Sequence, residues 1–339
     1  MMMSCRLAKS YGFIRLFFLC SSNNKNNNGS RLLRFPQFPA DAFSAFRSSR
    51  YRSMMSASSS SSSSNPMSRE DATLLPSIDD KYGGVRTEMT HPMDPSLFSS
   101  LLRASLSNWT LQGKKGVWIK LPKHLIGLAE SAVKEGFWFH HAEKDYLMLA
   151  YWIPKDVHTL PANASHRVRI GAYVINHNKE VLVVQEKTGQ FQGQGIWKFP
   201  TGVVNEGEDI HDGSVREVKE ETGVDTEFVQ ILAFRQTHKT FFEKSDLFFV
   251  CMLKPLSLEI NAQESEIEAA QWMPWEEYTK QPFVQKHELL RYMTDICSAK
   301  TDGGYEGSTP IRVSAPDQQG APDQQGNLYY NTRDLHSRH

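Results

Sequence analysis

Cysteine is scarce: the 339 residues hold four, Cys5, Cys20, Cys251 and Cys297, with no C-x-x-C spacing. That excludes a disulfide framework and a zinc site of ordinary spacing, and it points to a reducing compartment. Extended apolar runs are absent near the N-terminus, where Leu16–Cys20 is far shorter than the ~20 residues that cross a bilayer as a helix. No membrane partner is expected. Acid is nearly missing from residues 1–68, which carry nine Lys/Arg and only Asp41. Because the whole chain has 38 residues of each sign, the rest keeps 29 basic against 37 acidic, a net charge of −8. An acidic body lacks the basic footprint of a primary nucleic-acid partner.

The composition divides the chain into four parts. Residues 1–78 are rich in Arg, Ser and Asn and end in the run Ser58–Ser64. This is the composition of a disordered extension that serves as a mitochondrial or plastid import signal. Met54, Met55 and Met67 are alternative starts that would leave a cytoplasmic protein. Residues 79–162 read as a small α/β unit. A helix is expected over Pro95–Leu106 and a strand over Gly116–Leu121. A second helix runs from Pro122 to Gly136 with Leu125, Ile126, Leu128, Ala129 and Val133 buried, and strands follow at Phe137–His141 and Tyr146–Ile153.

Residues 163–300 read as a second α/β domain. Its strands are Val168–Ile175, Val181–Gln185, Phe228–Arg235, Leu247–Leu253 and Ala269–Met273, and its last helix is Val284–Cys297. Residues 301–339 are polar and contain a duplicated Ala-Pro-Asp-Gln-Gln-Gly (315–320 and 321–326), which reads as a disordered tail.

The strongest chemical signal lies between Gly202 and Val224. Glu217, Glu220 and Glu221 stand at i, i+3 and i+4 on a helix expected to start near Asp209 and to stop at Gly223. At about 100° per residue they share one face. Like charges so placed repel, and a hard divalent cation bound through oxygen gives them a reason to be there. Arg216 can hold one of the acids by bidentate hydrogen bonds. Gly202 lies where backbone would approach an ion closely.

The stretch resembles the Nudix box, G-x5-E-x7-R-E-U-x-E-E-x-G-U, at every defined position, with Trp197-Lys198-Phe199-Pro200 similar to the W-x-x-P often found upstream. Thr201 stands where many members carry a second glycine. The resemblance implies an α/β fold of mixed (α+β) character, a Nudix α/β/α sandwich with a mixed sheet, preceded here by a small α/β pre-Nudix domain. It also implies hydrolysis of a nucleoside diphosphate linked to another moiety. Glu217, Glu221, Glu220 and the Gly202 carbonyl would bind Mg2+ or Mn2+. Glu220 and Arg216 would serve catalysis, and Glu208 would support them. A base outside the box is expected at Glu266, ahead of Glu264, within a segment resembling the family's late E-I-x-x-x-x-W.

Further similarity, in Lys81–Val85, Arg103–Leu106, His140–Glu143, Leu160–His166, Leu182–Glu186 and Leu232–Arg235, resembles the plant Nudix branch that cleaves ADP-ribose and NADH. It implies those substrates and a homodimer. The S-Q-P-W-P-F-P-x-S array of one NADH-cleaving group is absent, which leaves other readings open. These are a CoA or nucleotide-sugar substrate, or a nucleotide-sensing module with weak turnover. Adjacent His140 and His141 on a strand should point to opposite faces and serve packing or an interface. Phe241 and Phe242 are candidates to stack on adenine or to pack in a loop.

Overall fold

The computed structural model describes residues 74–189, 191–314 and 325–336. Residues 1–73, nearly all of the expected extension, lie outside them, as does most of the duplication. The chain divides into two units between Asn163 and Ala164.

In the first unit, β1 (Ile78–Asp79), β2 (Val85–Glu88), β3 (Gly116–Pro122), β4 (Trp138–Ala142) and β5 (Tyr146–Trp152) form one sheet in the order β1-β2-β3-β5-β4. Helix α1 (Pro95–Leu111) begins where Asp94 accepts hydrogen bonds from the Ser96 and Leu97 amides, with Pro95 preset for the first turn. Phe98, Leu102, Ser105 and Trp109 form its buried stripe. Phe98, Leu102 and Trp109 join Val85, Ile119, Leu121 and Leu149 in a core, and each large side chain contributes roughly 1.5–3 kcal/mol.

The expected Pro122–Gly136 helix departs from expectation in its phase. Its first part, Lys123–Leu128, is a 3-10 turn, and only α2 (Ala129–Lys134) is α-helical. At three residues per turn Leu125 and Leu128 eclipse and go inward together. Ile126 and Val133 consequently face solvent, while Ser131 and Ala132 take the buried places.

The two histidines also differ from the reading of β4 as a regular strand. The register against β5 slips between Phe139 and His141. A bulge re-aims side chains, so the imidazoles meet, Nδ1 to Nδ1, at 2.7 Å. His140 Nε2 contacts the Pro161 carbonyl and His141 Nε2 the Tyr146 hydroxyl.

The second unit contains β6 (His166–Val174), β7 (Glu180–Glu186), β8 (Thr201–Val203), α3 (Ile210–Thr222), β9 (Thr226–Phe241), β10 (Lys244–Pro255), β11 (Ile267–Pro274), α4 (Trp275–Lys280), α5 (Pro282–Lys286) and α6 (Glu288–Thr301). A mixed sheet runs β8-β6-β10-β9, with β6 and β10 parallel, and β7 pairs with β11. Alternation along β6 separates two cores. Ile170, Ala172 and Val174 pack with Val218 of α3. Tyr173 faces the other way, with Tyr278, Val284, Met293 and Cys297 of α4–α6. The result is a helix–sheet–helix sandwich of mixed α+β type. The expected Val284–Cys297 helix is two helices, because His287 is extended (φ −111°, ψ 111°) and restarts the chain.

The expectation of a structureless tail does not hold for its described part. Strands β12 (Thr309–Ser314) and β13 (Gln325–Tyr330) pair antiparallel, and α7 (Thr332–His336) follows. The polar composition hid a segment whose partners are distant in sequence, among them Ile231, Asp209 and His211.

Candidate active site

Helix α3 carries the acidic residues and is held from both sides. Its inward face is Gly213, Ser214, Val218 and Thr222. Gly223 ends it in the left-handed region (φ 74°), as glycine allows. The preceding strand β8 lies against β6, with Gly202 opposite Ile170.

Gly202, expected where backbone approaches an ion closely, also leaves room for a neighbouring side chain. Its φ is not positive, and a β-carbon there would collide with the Glu217 carboxyl group. The missing side chain is the space Glu217 occupies.

Arg216 organises the acids. Its Nε donates to Glu208 Oε1 at 2.6 Å and its Nη2 to Glu208 Oε2 at 2.8 Å, a bidentate pair. Nη2 also reaches the Val203 carbonyl at 2.9 Å, fixing the helix to β8. Nη1 donates to Glu217 at 2.8 Å and to Glu220 at 3.2 Å. One guanidinium thus joins three carboxylates. It raises its own pKa, chiefly through Glu208, and lowers that of Glu208. Glu217 is different: burial outweighs Arg216, and its pKa rises.

Glu221 points away from Arg216. It is buried and accepts a 3.3 Å hydrogen bond from the Thr201 amide. Burial pushes its pKa up to about 8, against the pull of Lys198. Lys198 is itself bound to Glu186 Oε1 at 2.5 Å and to the Thr201 hydroxyl at 2.8 Å. It is aimed there because Lys198 and Val184 exchange backbone hydrogen bonds of 2.9 and 3.1 Å. The other Glu186 oxygen is buried with no hydrogen-bond partner.

Sequence reasoning did not assign roles to Glu186 and Lys198. The signal was faint, a charged residue at the end of an apolar strand and a lysine inside the W-x-x-P segment.

The candidates for a base outside the box are not drawn into this network by any described side-chain contact. Glu264 and Glu266 are exposed, and their backbone carbonyls accept from Lys187 Nζ at 2.7 Å and Lys187 N at 2.8 Å. Their loop is nonetheless tied to the end of α3, since the Asn261 and Gln263 amides donate to Thr222 and Glu221 carbonyls. Phe241 lies under Arg167, 3.8 Å from the guanidinium carbon to the ring centroid, and Phe242 is exposed at the β9–β10 turn. An aromatic hollow lined by Phe191, Trp197, Phe199, Phe248, Tyr278 and Phe283 reaches Lys198 and Thr201. A larger cavity of about 420 Å³ lies along α6 and includes none of the box residues.

The donor set fits a hard cation. Glu186, Glu217 and Glu221 offer carboxylate oxygens that are wholly or largely buried, two of them have raised pKa values, and one Glu186 oxygen is unpartnered. Asp209, His211 and Asp212, at the start of α3, bring donor atoms within 4.8 Å of one another. Asp209 and His211 already have partners, Asn327 and Tyr329, so the box is the better-prepared ion site.

Residues 75–153 match the family model described as a Nudix hydrolase domain, and residues 165–292 the model described as a NUDIX domain. Nudix hydrolase 2 of Arabidopsis thaliana is 88% identical over 275 residues, 81% of this chain and 97% of that protein. The human protein named nucleoside diphosphate-linked moiety X motif 6 is 35% identical over 209 residues, 59% of this chain and 65% of its own length. Among solved structures, a MutT Nudix hydrolase from Burkholderia pseudomallei is 21% identical, with a TM-score of 0.32, over 38% of this chain and 96% of that one. The chain belongs to the Nudix hydrolase family, whose members act on nucleoside diphosphate derivatives.

Proposed function

We propose that the protein is a metal-dependent diphosphatase that cleaves ADP-ribose to AMP and ribose 5-phosphate, and NADH to NMNH and AMP. The observation that carries this reading is the excess of buried carboxylate over buried positive charge at one end of α3. Glu217 and Glu221 hold raised pKa values although Arg216 and Lys198 stand beside them. A site that favours added positive charge suits Mg2+ or Mn2+ and, through it, a diphosphate.

In this reading Glu217, Glu221, Glu220 and the Gly202 carbonyl would hold the ion, and the Glu186 oxygen that has no hydrogen-bond partner would be a further donor. When bound, the cation supplies charge neutralisation for the diphosphate and a lowered pKa for water. The chain's own residues do the rest. Arg216 positions Glu217 and Glu220 through its 2.8 and 3.2 Å hydrogen bonds. Glu220 is half exposed, the most accessible of the three, and takes the proton from the attacking water. Glu266 is the second candidate, on a loop anchored to α3. Aromatic rings beside Lys198 offer stacking for a base. ADP-ribose and NADH are chosen on the overall resemblance to the plant branch that cleaves them. A homodimer and import into mitochondrion or plastid through residues 1–78 belong to the same reading.

The test is release of AMP from ADP-ribose, NADH, coenzyme A and capped RNA with Mg2+ present. ADP-ribose and NADH should turn over, and Glu220→Gln should lower kcat by about 100-fold or more. Absence of metal-dependent turnover of all four would remove the diphosphatase reading. A loss smaller than about tenfold in Glu220→Gln would transfer the base role to Glu266. A fluorescent fusion of residues 1–78 that stays in the cytosol would withdraw the import signal.

A further inference from the structure

Beyond α6 the chain returns to the start of α3. Ser308 and Ile231 of β9 exchange backbone hydrogen bonds of 2.9 and 2.8 Å, and the Tyr305 hydroxyl donates to the Leu232 carbonyl at 2.5 Å. These contacts set the direction in which β12 and β13 leave the sheet. Along β13 the side chains alternate. Leu328 is exposed, while Asn327 and Tyr329 face α3.

Asn327 Nδ2 donates to Asp209 Oδ2 at 2.8 Å, and the Tyr329 hydroxyl lies 3.0 Å from His211 Nδ1. The Tyr329 ring also packs with the core that contains Ile210, Val215 and Val218.

Asp209 is the N-cap of α3, yet its side chain makes no capping hydrogen bond. Aspartate at that position ordinarily accepts from the second or third helical amide. Here one carboxylate oxygen accepts from a strand more than a hundred residues away instead. Asp209 is also the neighbour of Glu208, whose two oxygens hold Arg216. Arg216 in turn holds Glu217 and Glu220. Side-chain hydrogen bonds on either side of the peptide link between Glu208 and Asp209 therefore join β13 to the acidic face: Asn327 to Asp209, then Glu208 to Arg216, and Arg216 to Glu217 and Glu220.

We propose that β13 is a positioning element of the active site, in which Asn327 and Tyr329 fix the first turn of α3 and, through Glu208 and Arg216, the carboxylates Glu217 and Glu220. The inference rests on the reading above that these carboxylates perform the chemistry. It assigns a role in the reaction to a segment outside the matched family domain, which ends at residue 292. Neither side chain touches the acids directly, so both are positioning residues.

The experiment uses the full chain with ADP-ribose and Mg2+. Asn327→Asp sets a carboxylate against Asp209, Tyr329→Phe removes only the hydroxyl, and Asp209→Asn combined with Asn327→Asp exchanges acceptor and donor. Read out kcat, KM for ADP-ribose, the Mg2+ concentration for half-maximal rate, and Tm. Asn327→Asp should lower kcat by about fivefold or more and raise the Mg2+ requirement, with KM held within about twofold. Tyr329→Phe should shift both in the same direction by less, and the exchanged pair should restore most of the rate.

The proposal falls if Asn327→Asp keeps kcat and its Mg2+ requirement within about twofold of the parent, or if the exchanged pair restores nothing. It falls equally if the rate declines only as Tm declines. Glu220→Gln run alongside separates the two levels. If that variant keeps the parent kcat, Glu220 is not the base and the reading on which this proposal rests has failed at that residue. If it is inactive while the β13 variants behave as the parent, only the role of β13 has failed.

Discussion

The two units bury different kinds of residue. Among the described residues, the buried polar side chains of the first unit are hydroxyls, Thr87, Ser105 and Ser131. The second unit also buries ionisable groups: Arg169, Glu221 and Asp246. Ion pairs of the first unit lie at its surface, as with Arg103–Glu135, where the arginine is 67% exposed. In the second unit Arg216 and Glu208 are 26% and 16% exposed. Removing a charge from water costs several kcal/mol unless partners restore the loss. A fold tolerates that where the charge does something a hydroxyl cannot. The first unit is built as packing, the second as packing around a network of ionisable groups. Asp246 extends the pattern: neither oxygen has a hydrogen-bond partner, Arg167, Arg169 and Arg235 stand around it, and burial raises its pKa.

The contrast is sharpest at glycines. Gly202→Ala should lower activity by two or more orders of magnitude and destabilise by about 1–3 kcal/mol, since the new methyl displaces Glu217. Gly127→Ala in the first unit meets nothing within 4 Å and should leave both unchanged. Equal effects on activity and urea midpoint would erase the distinction. Arginines come next. Arg216→Ala leaves Glu208 and Glu217 without their partner and should cost about 3 kcal/mol. Arg103→Ala breaks a surface pair and should give no measurable change in Tm.

The smallest expected effect is a pH slope. Glu221 rises from the ordinary 4.5 to about 8, so the folded, metal-free protein holds a proton that the unfolded chain releases. Its stabilising contribution is full below pH 4.5 and is lost as the pH climbs towards 8. Tm without metal should fall across that window, and Glu221→Gln should flatten the decline. Affinity for Mg2+ should move oppositely and improve with pH, because the ion displaces the proton. A metal-free Tm that rises through the window would contradict the buried-acid picture.

What the sequence disclosed follows the range of the interactions involved. The acidic helix was legible from Asp209 to Gly223 because a helix, its face and its glycine stop are local. The strands around it were legible in place, though β9 and β10 run well past the expected Phe228–Arg235 and Leu247–Leu253 to form a long hairpin. The 3-10 turn at Lys123–Leu128 was hidden because period three and period 3.6 diverge little over six residues. The slip that joins His140 to His141 depends on β5, and the place of β13 depends on residues 118 positions away. Within the site, the grouping of Glu217 and Glu220 followed from spacing. The separation of Glu221 towards Thr201 and the Lys198–Glu186 pair did not, because β7 and β8 create it.

Gly202 and Glu217 carry one further consequence, for how such a protein changes over time. The strand supplies an absence and the helix the group that fills it. Enlarging the first alone produces a collision, and shortening the second alone leaves a hollow. A lineage or a designer moving this carboxylate elsewhere has no smooth single-step route. The two positions form a lock whose halves must be rewritten together.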